Sequence, residues 1–505
     1  MKERVSCQRQ KGKEMNSFLQ TMKVNSNYGI TENGAITHKT TTSAVYDMFA
    51  EGGAYRNRTK EDKINLFSKA LKENTELALK CLFYLRDIRG GQGEREFFRT
   101  CFHWLCNEYP QIAERNLIHV SEYGRWDDLI YAVYGTKLHY NMIEIVKAQL
   151  KLDLDSKTPS LLAKWMPSEN TSSRTTRMVA AELRKGLGMT PKQYRKALSK
   201  LRARIKVVEG LMSANRWDEI EFDKIPSRAG VIYRNAFARR DLIAKKYETF
   251  AKSKDTKVNA SALYPYDIAH RAMAYEMRRT SYENTERVML QKYWENLPDY
   301  YEGKTENGIA VVDVSGSMGG QPMEVAISLG AYIAERGHGP FANHFITFSE
   351  SPDLVEFTGV DITDKIQRAE KADWGYNTDL EAVFELLLNT AKSQKTKRED
   401  MPERLYILSD MEFDKGLNHY GASQGKINTL LEDIAEEWKR KGYELPQLIF
   451  WNLNARQDNI PMLKGGRFAY LSGFSPVMLK QILSGKDGYD LMLDKLMSKR
   501  YEVIK

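Results

Sequence analysis

Cysteine is scarce in this chain: four residues in 505, Cys7, Cys81, Cys101 and Cys106, with no CxxC pair among them. Such spacing gives neither a zinc cluster nor a disulfide framework, and it suits a reducing compartment, so a cytoplasmic protein is expected. Long apolar runs are missing too. No stretch of about 18 apolar residues exists to span a membrane, and residues 1–13 are basic and polar, without the apolar centre of a secretory signal. The eight histidines are scattered without ligand spacing; His103 and His119, on expected helices among apolar neighbours, read as satisfied core residues. A GxxxxGK[ST] phosphate loop is absent, as are GxSxG and HExxH. The expectation is therefore a binding protein and not an enzyme.

What the chain has is length, charge and two kinds of periodicity. Its length accommodates two or three domains, each with its own core. The net charge of +9 conceals an asymmetry: residues 1–300 hold 52 basic and 36 acidic side chains, residues 301–505 hold 24 and 31. Charge that separates along the chain implies separate tasks, and a basic first part suits a polyanion as well as it suits a merely solvated set of helices.

Residues 1–40 are polar and are expected to form an irregular lead-in. Residues 41–300 carry apolar positions at helical spacing, with short Gly-containing connections such as Arg89-Gly-Gly-Gln-Gly93 and Glu122-Tyr-Gly124-Arg125. The spacing predicts an all-α module of paired helices, HEAT-like in character. The three glycines next to Arg86, Arg89 and Arg95 could cradle a phosphate; a helix C-terminus turning into the next helix is the preferred reading, because the motif opens no βα unit. The most regular helix is expected over residues 191–208. Tyr194, Ala197, Leu198, Leu201, Ile205 and Val208 form its apolar face, Lys192, Lys196, Lys200 and Arg204 recur every fourth residue on another, and Thr190 is placed to cap it.

Near residue 300 the pattern changes. Ile309-Ala-Val-Val312 reads as a buried strand, and strands and helices then alternate to the end, which predicts a mainly parallel α/β sheet over residues 305–505. The first strand runs into Asp313-Val-Ser315-Gly-Ser317, a DxSxS loop at a strand's carboxyl end, where open α/β sheets place their sites. One carboxylate and two hydroxyls suit a hard divalent cation such as Mg²⁺ or Mn²⁺. Two later loops supply more oxygens: Gly375-Tyr-Asn-Thr378-Asp379 a hydroxyl, and Leu408-Ser409-Asp410 a carboxylate. Asp379 is expected to serve the following helix N-terminus, and Glu412 and Asp414 to be solvated surface.

These three loops resemble the metal-ion-dependent adhesion site of von Willebrand factor A domains. That resemblance implies that Ser315, Ser317 and Thr378 ligate the metal directly, that Asp313 and Asp410 hold it or its waters, and that a partner's carboxylate completes the coordination. A helical-repeat module followed by an A domain is in turn similar to the Ro ribonucleoprotein family, whose helical part is the TROVE module. The carrying segments are Asn33-Gly34-Ala35, Thr40-Thr41-Thr42, Arg86-Asp-Ile-Arg89-Gly-Gly-Gln-Gly93-Glu94-Arg95, Glu122-Tyr123-Gly124-Arg125-Trp126, Ser409-Asp410-Met411-Glu412-Phe413 and Ser472-Gly473-Phe474-Ser475. Their wording is nearer still to relatives in fungi, plants and large DNA viruses that lack a settled activity. The resemblance implies a ring of helices closed by the A domain, with RNA on its basic surfaces. Residues 171–280, with 25 basic and 11 acidic side chains, hold most of the excess. The candidate RNA contacts are Arg174, Arg177, Arg184, Lys185, Lys192, Arg195, Lys196, Lys200, Arg204, Arg234, Arg239 and Arg240. The alternative is a metal-dependent protein-interaction scaffold that binds an acidic protein ligand and no nucleic acid.

Overall fold

The computed structural model describes residues 27–205, 207–253, 258–274, 283–372, 378–414, 429–461, 468–483 and 486–505. The described chain starts not in irregular structure but in an antiparallel hairpin, β1 (Tyr28–Ile30) and β2 (Ile36–His38). Two strands of three residues cannot stand alone in water. This pair is held by the far end of the chain: His38 N–H donates to the Ile460 carbonyl at 3.0 Å and Ile460 N–H donates back at 2.9 Å. The irregular lead-in expected over residues 1–40 is corrected over residues 28–38, and residues 1–26 lie outside the described residues. Strands this short show no alternation in sequence, and their partner lies some 420 residues on.

Helices then follow one another from Ala44 to Glu295. Their starts are capped as the sequence allows: Thr59 and Asp62 form a reciprocal capping box, and Asn74 accepts from Leu77 N–H at 2.9 Å. Arg86 is buried against Asp128, donating from Nε at 2.8 Å, and Arg99 reaches both Asp128 and Asp127 at 2.8 Å. In the glycine-rich turn the backbone amides of Gly91, Gln92, Gly93 and Glu94 all donate to carbonyls of residues 84–87. A Cβ on Gly91 would lie 2.0 Å from the Tyr84 carbonyl oxygen. The turn is thus a helix C-terminus, and those amides are not open to a phosphate.

The second half is a six-stranded sheet in the order β5 (Leu354–Glu356), β4 (His344–Thr347), β3 (Gly308–Val312), β6 (Arg404–Ser409), β7 (Gln447–Asn452), β8 (Phe468–Ser472), parallel except for the edge strand β5. Every residue of β3 is buried, so both faces of the sheet are covered. The helix Gln321–Arg336 packs closely on β3: a Cβ on Gly330 would stand 2.5 Å from Val312 Cγ2. Sequence order reverses across β3, with β4 on one side and β6 on the other. Such a switch point, at the strands' carboxyl ends, is where open α/β sheets place their sites.

The helical half grips this sheet domain from both of its own ends. At the start, Gly53 N–H donates to Ser472 Oγ at 3.0 Å, an approach at which a Cβ on Gly53 would meet the Ser472 backbone at 2.8 Å. Asp87 takes the C-terminal Arg500 and accepts from the Tyr501 hydroxyl at 2.9 Å. At the other end, Arg287 holds Asp361 through two bonds of 2.8 and 2.9 Å, and Ile362 N–H donates to Gln291 at 2.7 Å. The joining segment is pinned as well: Tyr300 and Tyr301 are buried, and Tyr300 N–H donates to the Tyr332 hydroxyl at 3.0 Å.

Candidate metal centre and candidate nucleic-acid interface

Asp313 follows β3 directly and is fully buried. Its Oδ1 accepts from Ser315 N–H at 2.8 Å and its Oδ2 from the Ser409 hydroxyl at 2.6 Å, which ties the DxSxS loop to the end of β6. The Ser315 and Ser317 hydroxyls lie 3.0 Å apart. Ser317 is half-buried, and its hydroxyl favours the charged form of the Asp410 carboxylate. Asp410 arrives because β6 ends in a sharp turn: Met411 has φ +67°, a left-handed conformation that is uncommon for a side chain of this kind. It is held by a bond from its N–H to the Ser409 hydroxyl at 3.1 Å. Backbone strain of this type collects at sites.

The structure therefore brings Asp313, Ser315, Ser317 and Asp410 into one cluster. Thr378 joins from the same edge. Its hydroxyl donates to the Glu412 carbonyl at 2.8 Å and its N–H to Asp414 at 2.8 Å, and the charge of Asp414 is felt at Asp313. Residues 375–377, expected to form this loop with it, lie outside the described residues. Asp379 caps the helix Leu380–Gln394, accepting from Ala382 N–H at 2.9 Å, as expected. Glu412 corrects the surface expectation: it is 1% exposed, and its carboxylate accepts from Asn459 Nδ2 at 2.8 Å. Asp414 is half-buried.

Burial pushes the carboxyl of Asp313 above the usual range. Burial and then the neighbouring Asp313 push Asp410 up to about 7, and burial pushes Glu412 up to about 7. Asp410 Oδ2 is buried without a hydrogen-bond partner. Two adjacent buried carboxylates, two hydroxyls beside them and an oxygen left unbonded make an all-oxygen donor set that a hard divalent cation fits. Sequence reading missed the asparagines and the arginine that frame this set. Asn33, from the hairpin tip, donates to Thr378 Oγ1 at 3.0 Å, Asn454 donates to the Ser317 carbonyl at 3.2 Å, and Arg456 approaches Asp410. The run Asn452-Leu-Asn454-Ala-Arg456-Gln-Asp458-Asn459 after a buried strand was the available signal.

The basic helix runs Pro191–Ile205, shorter than expected. Lys206 lies outside the described residues, Val207 is extended, and Val208 opens the next helix. Thr190 caps it, accepting from Gln193 N–H at 3.3 Å, and Tyr194, Ala197, Leu198 and Leu201 are buried. Lys192, Arg195, Lys196 and Lys200 are exposed and make no ion pair among the described residues. Arg204 does not belong with them: it donates to the Leu154 and Ser156 carbonyls at 2.9 and 3.1 Å, satisfying the end of the helix His139–Asp155. Of the other candidates, Arg174, Arg177, Lys185, Arg239 and Arg240 are exposed, with Arg240 4.7 Å over the Trp217 ring. Arg184 is turned to Glu169 at 2.7 Å. Arg234 is corrected: it is 6% exposed and paired with Glu286 at 2.6 Å, too deep to touch a polyanion. A groove of about 760 Å³ runs beside the basic helix, lined by Tyr194, Arg195, Leu198, Arg202, Arg216 and Lys224 among others. His103, expected in the core, is exposed, its Nδ1 3.1 Å from the Ala132 carbonyl.

Fold and site define a class: a helical module gripping an α/β domain that gathers buried oxygen-bearing side chains at its sheet switch point. Two family models match it, each described as a domain of unknown function: DUF2828 over residues 31–135 and 169–300, and DUF7788 over residues 307–502. An uncharacterized protein of Acanthamoeba polyphaga mimivirus is 31% identical over 508 residues, covering 91% of this chain and 85% of that protein. The chain belongs to the same family as this mimivirus protein. Among solved structures, the Ro (RSR) protein of Deinococcus radiodurans aligns with 90% of this chain and 99% of its own, at 12% identity and a TM-score of 0.42. Among the described residues, no helix is long and apolar enough to cross a membrane.

Proposed function

We propose that the chain is an RNA-binding protein of Ro-like build, in which the basic helical module binds RNA and a von Willebrand A-type domain with a metal site docks a partner or closes the ring. The observation that carries the RNA reading is the helix Pro191–Ile205: Lys192, Arg195, Lys196 and Lys200 stand exposed with no ion pair among the described residues, beside a groove of about 760 Å³. Cations without a protein partner are those whose counterions a polyanion releases, so affinity falls steeply with salt. RNA is preferred to DNA because of the family resemblance in the sequence.

The metal reading rests on the donor set. Ser315, Ser317 and Thr378 would hold Mg²⁺ or Mn²⁺ through hydroxyls, and Asp313 and Asp410 directly or through water. The metal would supply a docking point for a carboxylate from an acidic protein ligand. The protein acts by binding rather than catalysis, in the cytoplasm. The sheet order, with β3 central and an antiparallel edge strand, supports the A-domain assignment. The test is binding of structured and single-stranded RNA to the purified protein at two salt concentrations. RNA bound at about 50 mM salt and released by a severalfold increase is the expected result. No binding of either RNA at the lower salt refutes the reading and leaves the protein-scaffold alternative.

A further inference from the structure

The tip of the β1–β2 hairpin lies across the loops that carry Asp410 and Arg456. Thr31 Oγ1 donates to the Phe413 carbonyl at 2.7 Å, and Glu32 N–H donates to the Glu412 carboxylate at 2.8 Å. Asn33 Nδ2 donates to the Glu412 carbonyl at 2.7 Å. The Glu32 carboxylate pairs with the Arg456 guanidinium and accepts from Gln457 Nε2 at 3.0 Å. On its other side, Arg456 Nε stands 3.5 Å from Asp410 Oδ2, the one ion pair that Asp410 makes among the described residues. No hydrogen bond is formed at that distance, and the oxygen is otherwise without a partner. Glu32, Arg456 and Asp410 thus form a line of alternating charge, which starts on the hairpin and ends in the candidate metal centre.

We propose, resting on the reading of Asp410 as a metal-holding residue, that Arg456 is a built-in competitor of the divalent cation and that Glu32 tunes this competition from the hairpin. A guanidinium never gives up its charge, so at 3.5 Å it lowers the negative potential that a metal at Asp410 requires. A carboxylate on the far side of Arg456 offsets part of that charge and draws the guanidinium outward. The Arg456 and Glu32 side chains are 34% and 38% exposed. Water and salt therefore screen the effect, which sets its size at roughly tenfold rather than thousandfold. The hairpin belongs in sequence to the helical half and the metal centre to the sheet domain, so this contact couples the two.

Titration calorimetry with Mn²⁺ on the full chain tests the inference. Arg456→Gln is expected to bind Mn²⁺ roughly tenfold tighter than wild type, and Glu32→Gln roughly threefold weaker. Because Glu32 acts through Arg456, the double variant should match Arg456→Gln. Arg456→Lys, which keeps the charge, should stay near wild type and shows that the position tolerates change. An Arg456→Gln protein that is folded by circular dichroism yet binds no tighter overturns the proposal. So does a double variant that matches Glu32→Gln, since Glu32 would then reach the ion itself. Asp313→Ala separates the two levels of the argument. If wild type binds Mn²⁺ through Asp313 while Arg456→Gln is unchanged, only the competition fails; if neither wild type nor Arg456→Gln binds Mn²⁺, the metal reading fails and takes the competition with it.

Discussion

Two regions of this molecule carry charge of opposite sign that the protein does not neutralise, and they do so differently. At the end of β3, Asp313 and Asp410 are buried side by side, and the one ion pair they make among the described residues is that of Asp410 with the Arg456 guanidinium at 3.5 Å. On the helix Pro191–Ile205, four exposed cations make no ion pair among the described residues. The buried acids sit at high energy when ionised, so burial and mutual repulsion raise their proton affinity. The exposed cations are hydrated and cost the fold little. A small hard cation held among oxygens suits the first region, and a long flexible polyanion that covers a surface suits the second. Elsewhere the chain shows what internal compensation looks like: Arg86 and Asp128, both buried, answer each other.

The largest expected effect comes from breaking that internal compensation. Arg86→Ala leaves Asp128 buried with Arg99 as its remaining ion pair among the described residues, and should cost about 3 kcal/mol or more, read as a fall in the urea midpoint. An unchanged midpoint would mean that burial of charge is not what distinguishes these regions. Next, Asp313→Ala should reduce Mn²⁺ affinity by roughly a hundredfold while the far-ultraviolet circular dichroism stays as in wild type, since the residue lies on a loop and not in the sheet. Equal heats for variant and wild type would remove Asp313 from the centre.

On the basic side, replacing Lys192, Arg195, Lys196 and Lys200 together by Gln should weaken RNA binding roughly tenfold or more at about 50 mM salt. It should also flatten the slope of log affinity against log salt by about three, the share of four phosphate contacts to single strands. Arg204 is left in place because it closes a neighbouring helix. A variant that binds as wild type does places the RNA elsewhere.

A further contrast is a buried acid of the helical half, Asp47, which accepts from the Thr41 N–H and hydroxyl and makes no ion pair among the described residues. Burial lifts it to about 6, above the roughly 3.9 of an unfolded chain. The folded state then holds the proton more tightly, so its contribution is full below about pH 4 and is lost as the pH rises through 6. Asp47→Asn keeps the accepting oxygen and removes the charge. It should raise stability by up to roughly 3 kcal/mol at pH 8 and leave it unchanged near pH 3.5, as measured by denaturant titration at both. A gain of equal size at both pH values would rule out ionisation as its cause.

Much of this was legible in the sequence because it is written in neighbours. The valine-rich run before Asp313 marked a buried strand, so the DxSxS loop had to lie at a sheet's carboxyl edge, and Ser409-Asp410 closed another strand of the same kind. Helical spacing marked Tyr194, Leu198 and Leu201 as an inner face and left the lysines outside. Residue type alone did not separate Lys200 from Arg204, or Arg239 from Arg234. An arginine's reach lets it end on a carbonyl of another helix or a distant carboxylate, and only packing decides which.

By itself, then, the sequence determined the helical first half, the alternating second half and the oxygen-bearing residues that follow the strands, since each depends on local periodicity and on residues a few positions apart. The tertiary structure alone decided that the hairpin before the first helix lies on the loops of the last domain, with Asn33 on Thr378 and Glu32 on Arg456. It also decided that Glu412 is buried and that Arg234 is lost to the surface. These facts join residues tens to hundreds of positions apart, and the energies that select them, burial of charge and satisfaction of polar groups, exist only once the chain has closed on itself.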